Sequence, residues 1–205
     1  MTIRLHRGDL PNLSAYKGAV AIDTETMGLD PRRDRLCVVQ LSPGDGSADV
    51  VQIPAGKVEA PNLKRLLADK SILKIFHFAR FDLGVLQRAF GVMAEPVYCT
   101  KIASRLARTY SDKHGLKDLT REVLGIDLSK QQQLSDWGAD ELTYAQVSYA
   151  ATDVLHLHAL KAKLDAMLAR EGREELAAAC FRFLPDRVRL DLAGWAAEDI
   201  FSHSA

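Results

Sequence analysis

Net charge, cysteine and long apolar runs are all scarce in this sequence. The 27 basic residues balance 27 acidic ones, so nucleic-acid binding would need a local basic patch or a metal site. Three scattered cysteines, Cys37, Cys99 and Cys180, form neither a disulfide framework nor a zinc knuckle. No apolar run reaches membrane-span length, and the opening stretch MTIRLHRGDL lacks a signal-peptide core. We therefore expect a soluble cytoplasmic protein that does not enter a membrane.

Several common catalytic motifs are also missing. The sequence contains no P-loop, dinucleotide-binding fingerprint, nucleophile elbow or zinc-ligand spacing. His156 and His158 are two apart on a predicted helix, so they do not face one metal site. Chemistry must therefore come from other polar side chains.

The order of predicted elements indicates an α/β protein. Strands are predicted at 18–24, 35–42, 48–54, 72–77 and in EPVYC. Helices are predicted at 62–69, 78–90, 100–109, 115–124, 139–170 and after Gly172, where Pro185 would break a helix or begin one. We expect a mixed central sheet of about five strands flanked by helices. No linker divides the chain, so residues 1–205 are expected to form one domain.

Two acidic residues follow the first of these predicted strands. In GAVAIDTETMGLD, residues 18–30, small and branched apolar residues lead directly to Asp23 and Glu25. Side chains two apart on a strand point to the same face, so both carboxylates would share one side of the sheet. The alternative is that the strand ends at Asp23 and both acids are solvated.

Asp82 lies on the apolar stripe of a predicted helix. It is four residues after Phe78 and four before Leu86, so the three share a face. Burial of an unpaired carboxylate is costly, which makes the position unusual for packing alone. A slightly different helix register would instead place Asp82 at the edge of the stripe.

Tyr149 and Asp153 form a third polar interruption of an apolar stripe. They are one helical turn apart, and the stripe continues through Leu160 and Leu164. Tyr149 alone would be typical of a core position, and Asp153 alone could pair with an arginine.

Taken together, three elements direct carboxylates toward the interior. Converging carboxylates repel one another unless a cation lies among them. Oxygen ligands of this kind suit Mg²⁺ or Mn²⁺, and two such ions about 4 Å apart can hold the attacking and leaving oxygens of a phosphodiester. The sequence therefore predicts a site for two divalent metal ions.

The same residues lie in motifs that resemble a known superfamily. DTETMGL (23–29), HFARFD (77–82) and YAATD (149–153) resemble the three exonuclease motifs of the DEDD superfamily, in its Tyr-containing branch. The stretch 128–157 is similar to ribonuclease D. The length, together with GAVAIDTETMGL and RLCVVQLSPGDG, looks most like nanoRNase C, a group of short ribonuclease D relatives. Ribonuclease D has further helical domains, which we expect to be absent here.

This resemblance implies a fold, an activity and a set of roles. The fold would be ribonuclease H-like, and the activity a 3′-5′ exoribonuclease acting on short RNA, dinucleotides above all, with DNA left open. Asp23, Glu25, Asp82 and Asp153 would hold the two ions, with Asp82 partly acting through water. Tyr149 would orient the attacking water. The subunits would assemble into a ring-like homo-octamer.

The resemblance also implies a set of residues that contact the substrate. The residues expected to bind substrate are Thr24, Met27, Gly28, Leu29, His77, Lys130, Gln133 and Trp137. Leu29 lies six after Asp23, where related oligoribonucleases place a leucine that wedges between two bases; ordinary loop packing is the alternative. A cap on the 5′ phosphate could come from the loop containing Ser135 or from Lys113 and His114, and the choice stays open.

Two broader alternatives remain at this point. The activity could be a general 3′-5′ exonuclease on longer RNA or DNA, or the chain could be a catalytically silent nucleic-acid-binding scaffold. The apolar C-terminal residues could cover the sheet or form a subunit contact; they are Phe181, Leu184, Val188, Leu192 and Trp195.

Overall fold

Among the residues that the structure describes, a mixed sheet of six strands lies at the centre of the fold. The computed structural model describes residues 2–129, 131–132 and 134–203. The strands are β1 Thr2–Arg7, β2 Ala19–Thr26, β3 Leu36–Ser42, β4 Ser47–Gln52, β5 Leu73–Phe76 and β6 Val97–Cys99. Their order across the sheet is β1-β4-β3-β2-β5-β6. β3 runs antiparallel to β2 and β4, and the other neighbours are parallel.

The fold class expected from the sequence is confirmed, with one strand more than the five named. The extra strand, β1, pairs in parallel with β4 at the edge of the sheet. Its segment TIRLHR is rich in charge and only partly buried, with Leu5 half-exposed. A charged edge strand lacks the continuous apolar run that marks the interior strands β3 and β4.

Seven α-helices in the described part of the chain pack around this sheet. They are α1 Pro61–Ala68, α2 Ala79–Phe90, α3 Thr100–Ala107, α4 Leu116–Leu124, α5 Tyr144–Leu155, α6 Leu157–Arg170 and α7 Glu174–Leu190. A π-helical turn, Asp191–Trp195, follows α7. α5 packs across β2, β3 and β4, whereas α7 packs against α2. None of the helices in the described ranges combines the length and apolar character that a membrane crossing requires.

Two helix predictions are wrong in detail. The single helix predicted over 139–170 is two helices, α5 and α6, separated at His156. α5 begins only at Tyr144, because Thr143 and Gln146 form a reciprocal capping box that fixes its first turn. Pro185 neither breaks nor begins a helix, since α7 continues through it.

The core explains why β2 can carry functional residues. Val20, Ala21 and Ile22 are fully buried in the hydrophobic core, and the strand leaves that core at Asp23. β2 pairs with β5 over its first three residues and with β3 from Ala21 onward, so its second half is paired with β3 alone. A register shift between Glu25 and Thr26 then ends the regular pairing. Asp23 and Glu25 thus lie where β2 extends beyond β5.

Residues of the C-terminal apolar stripe differ in burial. Three of them, Phe181, Leu184 and Val188, are buried in the core. Leu192 packs partly against the core, while Trp195 is 43% exposed. One face of α7 therefore packs on the fold, whereas the π-helical turn after it leaves Trp195 partly exposed.

Candidate active site

Three carboxylates meet at the end of β2. Asp23 and Glu25 project to the same side of this strand, and α5 crosses that side carrying Asp153. One carboxylate oxygen from each of the three residues lies within 4.8 Å of the others. All three side chains are half-buried. The structure thus brings together acids that are 128 to 130 residues apart in the chain.

Asp82 lies near this group, on the opposite side of β2. It lies in the first turn of α2 and is 3% exposed. The Thr24 hydroxyl, which points away from Asp23 by strand alternation, donates a 2.7 Å hydrogen bond to Asp82 Oδ1. Asp82 is not within the 4.8 Å group formed by the other three acids. Thr24, expected to bind substrate, therefore has its side chain engaged in fixing Asp82.

Burial and mutual repulsion both oppose ionisation of these acids. Burial, followed by the charges of Asp23, Asp153 and Asp82, raises the pKa of Glu25 to about 10. Burial raises the pKa of Asp23 to about 7 against a hydrogen bond from the Thr24 backbone. Burial and then the charge of Asp23 raise the pKa values of Asp82 and Asp153. The folded chain alone therefore disfavours four simultaneous anions here.

The donor set fits divalent cations. Within the described part of the chain, no lysine or arginine forms an ion pair with any of the four acids. Compensating charge must then come from bound protons or from an external cation. Clustered carboxylate oxygens without nitrogen or sulfur donors are the ligands that Mg²⁺ and Mn²⁺ prefer.

Tyr149 lies on α5 one turn before Asp153. Burial, and then the charges of Asp153, Glu25 and Asp23, raise the pKa of its hydroxyl above the usual value. The ring packs against Trp137 at a centroid distance of 6.1 Å. Tyr149 is therefore a neutral hydrogen-bond donor beside the acidic cluster.

Trp137, expected to contact substrate, is largely buried. It is 4% exposed, and its Nε1 is enclosed without a partner among the described residues. Arg35 donates a 3.1 Å hydrogen bond to the neighbouring Gly138 carbonyl, which ties this loop to the start of β3. The placement of Trp137 suits packing against Tyr149 better than contact with a ligand.

His77 also points inward. Its Nδ1 lies 2.8 Å from the Thr100 hydroxyl, and its Nε2 is buried without a partner in the described part of the chain. Burial, and then the nearby charge of Lys101, lower the pKa of the imidazole to about 3. The ring is therefore neutral and links the start of α2 to α3.

Two of the predicted substrate contacts in the loop after β2 are exposed. Leu29 is 87% exposed and lines a cavity of about 390 Å³ together with Phe78 and Phe81. Met27 is 55% exposed, and a side chain on Gly138 would collide with its sulfur. A side chain on Gly28 would fall 2.2 Å from Asp34 Oδ2, so a larger residue there would require the Asp34 side chain to move.

Some of the other residues predicted to contact the 5′ phosphate lie in the described part of the chain. Lys130 and Gln133 lie outside the described residues. Ser135 donates a 2.6 Å hydrogen bond to Gln132, and His114 Nδ1 lies 2.9 Å from the Ser104 hydroxyl. Lys113 is exposed.

Comparison with known proteins identifies the relatives of this chain. A family profile described as a 3′-5′ exonuclease matches residues 9–169. The chain belongs to the 3′-5′ exonuclease family. Among curated members of this exonuclease family, ribonuclease D of Granulibacter bethesdensis is 35% identical over 154 residues, 75% of this chain and 38% of that protein. The chain thus spans about two-fifths of the length of such ribonuclease D relatives.

Solved structures of other exonucleases extend the similarity. Brucella melitensis NrnC with bound Mg²⁺ is 63% identical, with a TM-score of 0.96 over 100% of both chains. The same protein bound to pGG gives 64% identity and a TM-score of 0.97, also over 100% of both chains. Escherichia coli RNase D, described as an exoribonuclease involved in structured RNA processing, is 29% identical, with a TM-score of 0.76 over 84% of this chain and 45% of its own. The predicted resemblance to DEDD exonucleases of the ribonuclease D and nanoRNase C type is confirmed.

Sequence reasoning missed one polar residue beside the acids of this exonuclease. Gln40 lies in the otherwise apolar strand β3, and its Cα is the register partner of Asp23. A lone glutamine among valines and leucines was the available signal. Its connection to Asp23 could be recognised only once the strand register was known.

Proposed function

We propose that this protein is a metal-dependent 3′-5′ exoribonuclease that hydrolyses short oligoribonucleotides, dinucleotides foremost, to nucleoside 5′-monophosphates. The observation that supports it most is the convergence of Asp23, Glu25 and Asp153 within 4.8 Å, without an ion-paired basic side chain among the described residues. Membership of the 3′-5′ exonuclease family sets the reaction class.

In this proposal four acidic residues bind two divalent ions. Asp23, Glu25 and Asp153 would hold the ions directly. Asp82, which is fixed by Thr24 and set apart from the other three, acts partly through water. The ions, when bound, supply Lewis-acid stabilisation to the attacking and leaving oxygens of the phosphodiester. The bound Mg²⁺ in the structure of the NrnC relative supports the choice of ion.

Tyr149 orients the attacking water. Its hydroxyl is neutral, so it positions the water through a hydrogen bond and does not act as a strong base. The water oxygen forms a bond to the terminal phosphorus as the bond from phosphorus to the 3′ oxygen breaks. The 3′ oxygen receives a proton, and the terminal unit leaves as a nucleoside 5′-monophosphate.

The preference for short substrates rests on the loop after β2. Leu29 is almost fully exposed beside a cavity lined by Phe78 and Phe81, where an apolar side chain can separate two bases of any identity. The NrnC relative is described with pGG bound, a short nucleotide ligand. Met27, in the same loop, is also exposed.

We propose that residues 1–205 act as one domain in the cytoplasm and assemble into a ring-like homo-octamer. The supporting observation is exposed apolar surface on and after α7, contributed by Leu176, Phe183, Trp195, Ile200 and Phe201. Light scattering of the purified protein tests this assembly. A monomer in solution would contradict it.

A single time course tests the activity. 5′-labelled RNAs of two to about ten nucleotides, with a DNA dinucleotide in parallel, are incubated with Mg²⁺ or EDTA. Fast cleavage of the dinucleotide in Mg²⁺ alone is the expected result. Even trimming of every length would instead favour a general exonuclease of the ribonuclease D type, and no cleavage would favour a silent binding scaffold.

Removal of one acid tests the metal assignment. Asp23→Ala is expected to abolish turnover, because a direct metal ligand should contribute more than the about 100-fold typical of supporting residues. The circular dichroism spectrum should stay unchanged. Asp165→Ala is a matched control, since that carboxylate is 43% exposed on α6 and remote from the cluster. Wild-type rates in Asp23→Ala would contradict the assignment.

A further inference from the structure

Gln40 is buried directly beside Asp23. It lies in the middle of β3 and is 0% exposed. The Cα atoms of Gln40 and Asp23 are register partners in the antiparallel pair β2–β3. Side chains of directly paired residues project to the same face of a sheet, so both lie under α5, the helix that carries Asp153.

The side-chain amide of Gln40 contacts the Asp23 carboxylate. Its Nε2 donates a 3.4 Å hydrogen bond to Asp23 Oδ2. Among the residues that the structure describes, no other side chain hydrogen-bonds this carboxylate. Gln40 therefore supplies the one side-chain restraint on the orientation of the Asp23 carboxylate within that part of the chain.

The carbonyl oxygen of the Gln40 side chain accepts no hydrogen bond within the described part of the chain. Gln40 Oε1 is buried and has no hydrogen-bond partner among the described residues. Its neighbours Val39 and Leu41 are apolar and fully buried. Leaving a buried polar atom unpaired disfavours folding, so an apolar residue here would serve stability better. The contact of the same side chain with Asp23 therefore points to a role outside stability.

We propose that Gln40 is a positioning residue that holds the Asp23 carboxylate in the orientation required to bind divalent metal ions. The inference rests on the proposed function, because it assumes that Asp23 is a metal ligand. Replacing a residue that orients a metal ligand by a hydrogen bond typically lowers metal affinity or activity by about 10- to 100-fold. A carboxylate that can rotate loses part of its affinity, because the ion must then order it on binding.

The test measures binding of Mn²⁺ alone by calorimetry, without RNA. Gln40→Met keeps an unbranched side chain of similar size and removes the donor. We expect its Mn²⁺ affinity to fall by about 10-fold or more. Gln40→His, which restores an N–H donor at a similar reach, is expected to recover most of that loss. If Gln40→Met fails to fold, Gln40→Thr, whose side chain is too short to reach Asp23, takes its place with the same expectation.

A second buried glutamine provides the matched control. Gln52 lies on the adjacent strand β4, and its amide donates to the carbonyl oxygens of Ala139 and Asp140, not to a carboxylate. Gln52→Met should therefore leave Mn²⁺ affinity at the wild-type value.

Two results would overturn the inference in distinguishable ways. Wild-type Mn²⁺ affinity in Gln40→Met, or an equal loss in Gln52→Met, would show that Gln40 is merely structural, and the proposed exonuclease would stand. A wild-type protein that binds neither Mn²⁺ nor Mg²⁺ would overturn the proposed function and this inference together.

Discussion

At the scale of single residues, Tyr149 illustrates how burial determines chemistry. Burial, with the charge of Asp153 next in importance, raises the pKa of its hydroxyl. The group is consequently a neutral donor over the whole range in which the protein would work. Trp137 packs against the ring and restrains it. Tyr149 is thus suited to holding a water in place.

Tyr149→Phe tests this role. Loss of the hydroxyl should lower kcat on a dinucleotide by about 100-fold, within the range attributed to a positioned proton donor or acceptor. Mn²⁺ affinity should be unchanged, because the four acids remain. Tyr144→Phe is the control, since that tyrosine begins the same helix but is 84% exposed. A wild-type kcat in Tyr149→Phe would contradict the proposal that this hydroxyl orients the attacking water.

Some site residues can be predicted from the sequence and others cannot. Asp23 and Glu25 were found because strand alternation is a local rule, and Asp82 because an acid on an apolar helix stripe is conspicuous. The hydrogen bond between Thr24 and Asp82 was not predictable, because it joins elements 58 residues apart. Trp137 looked like a loop residue available to substrate, and only tertiary packing shows that it is buried.

At the scale of elements, one buried carboxylate adds side-chain hydrogen bonds to the backbone pairing of β1 with β4. Asp49 on β4 accepts a 2.7 Å hydrogen bond from Arg4 Nε and lies 2.7 Å from His6 Nε2, both on β1. The Tyr16 hydroxyl donates to the same carboxylate at 2.6 Å. Burial opposes ionisation of Asp49, but the hydrogen bonds from Arg4, Tyr16 and His6 outweigh it and lower its pKa to about 2.

Asp49→Asn should therefore destabilise the protein in a pH-dependent way. A folded-state pKa below the unfolded value stabilises the protein above pH about 4, and this stabilisation is lost as the pH falls toward 2. We expect a loss of about 1–2 kcal/mol at pH 7, since Arg4 is partly exposed and screened. Urea unfolding between pH 2.5 and 7 measures the difference.

An exposed ion pair serves as the control for Asp49. Asp118→Asn removes the partner of Arg121 on α4 and should change stability by no more than about 0.5 kcal/mol. A loss in Asp49→Asn that stays constant down to pH 2.5 would contradict the ionic origin.

Element boundaries show a similar division between local and tertiary signals. The start of α5 was placed too early, although the Thr143 and Gln146 spacing of a capping box is a local signal for it. The interruption at His156 has no comparable local mark, because neither glycine nor proline is present there. β1 was missed since its pairing partner, β4, lies 45 residues further along the chain.

At the scale of the whole molecule, acidic residues are concentrated at one site although the formal net charge is zero. Asp23, Glu25 and Asp153 lie within 4.8 Å, and the repulsion among them opposes the folded state when no cation is bound. A divalent cation that binds only the folded protein should therefore stabilise it. The overall amino-acid composition predicts neither the presence nor the location of this acidic cluster.

The melting temperature should accordingly depend on divalent ions. Mn²⁺ at about 100 times its Kd should stabilise the protein by about 2.7 kcal/mol, and excess EDTA should reverse the effect. Differential scanning fluorimetry measures the change. Asp153→Asn, which removes one ligand and one negative charge, should show a much smaller response. Equal melting curves with Mn²⁺ and with EDTA would contradict the expectation.

The position of β2 has a consequence for how this protein could be re-engineered. Asp23 and Glu25 are carried on a strand whose backbone is paired with β3, whereas Asp82 and Asp153 are carried on helices that side-chain contacts hold against the sheet. Attempts to alter ion preference by moving the strand would break the sheet. Substitutions beneath α2 or α5 could shift a helix by fractions of an ångström and retune the spacing between its acid and the two on β2.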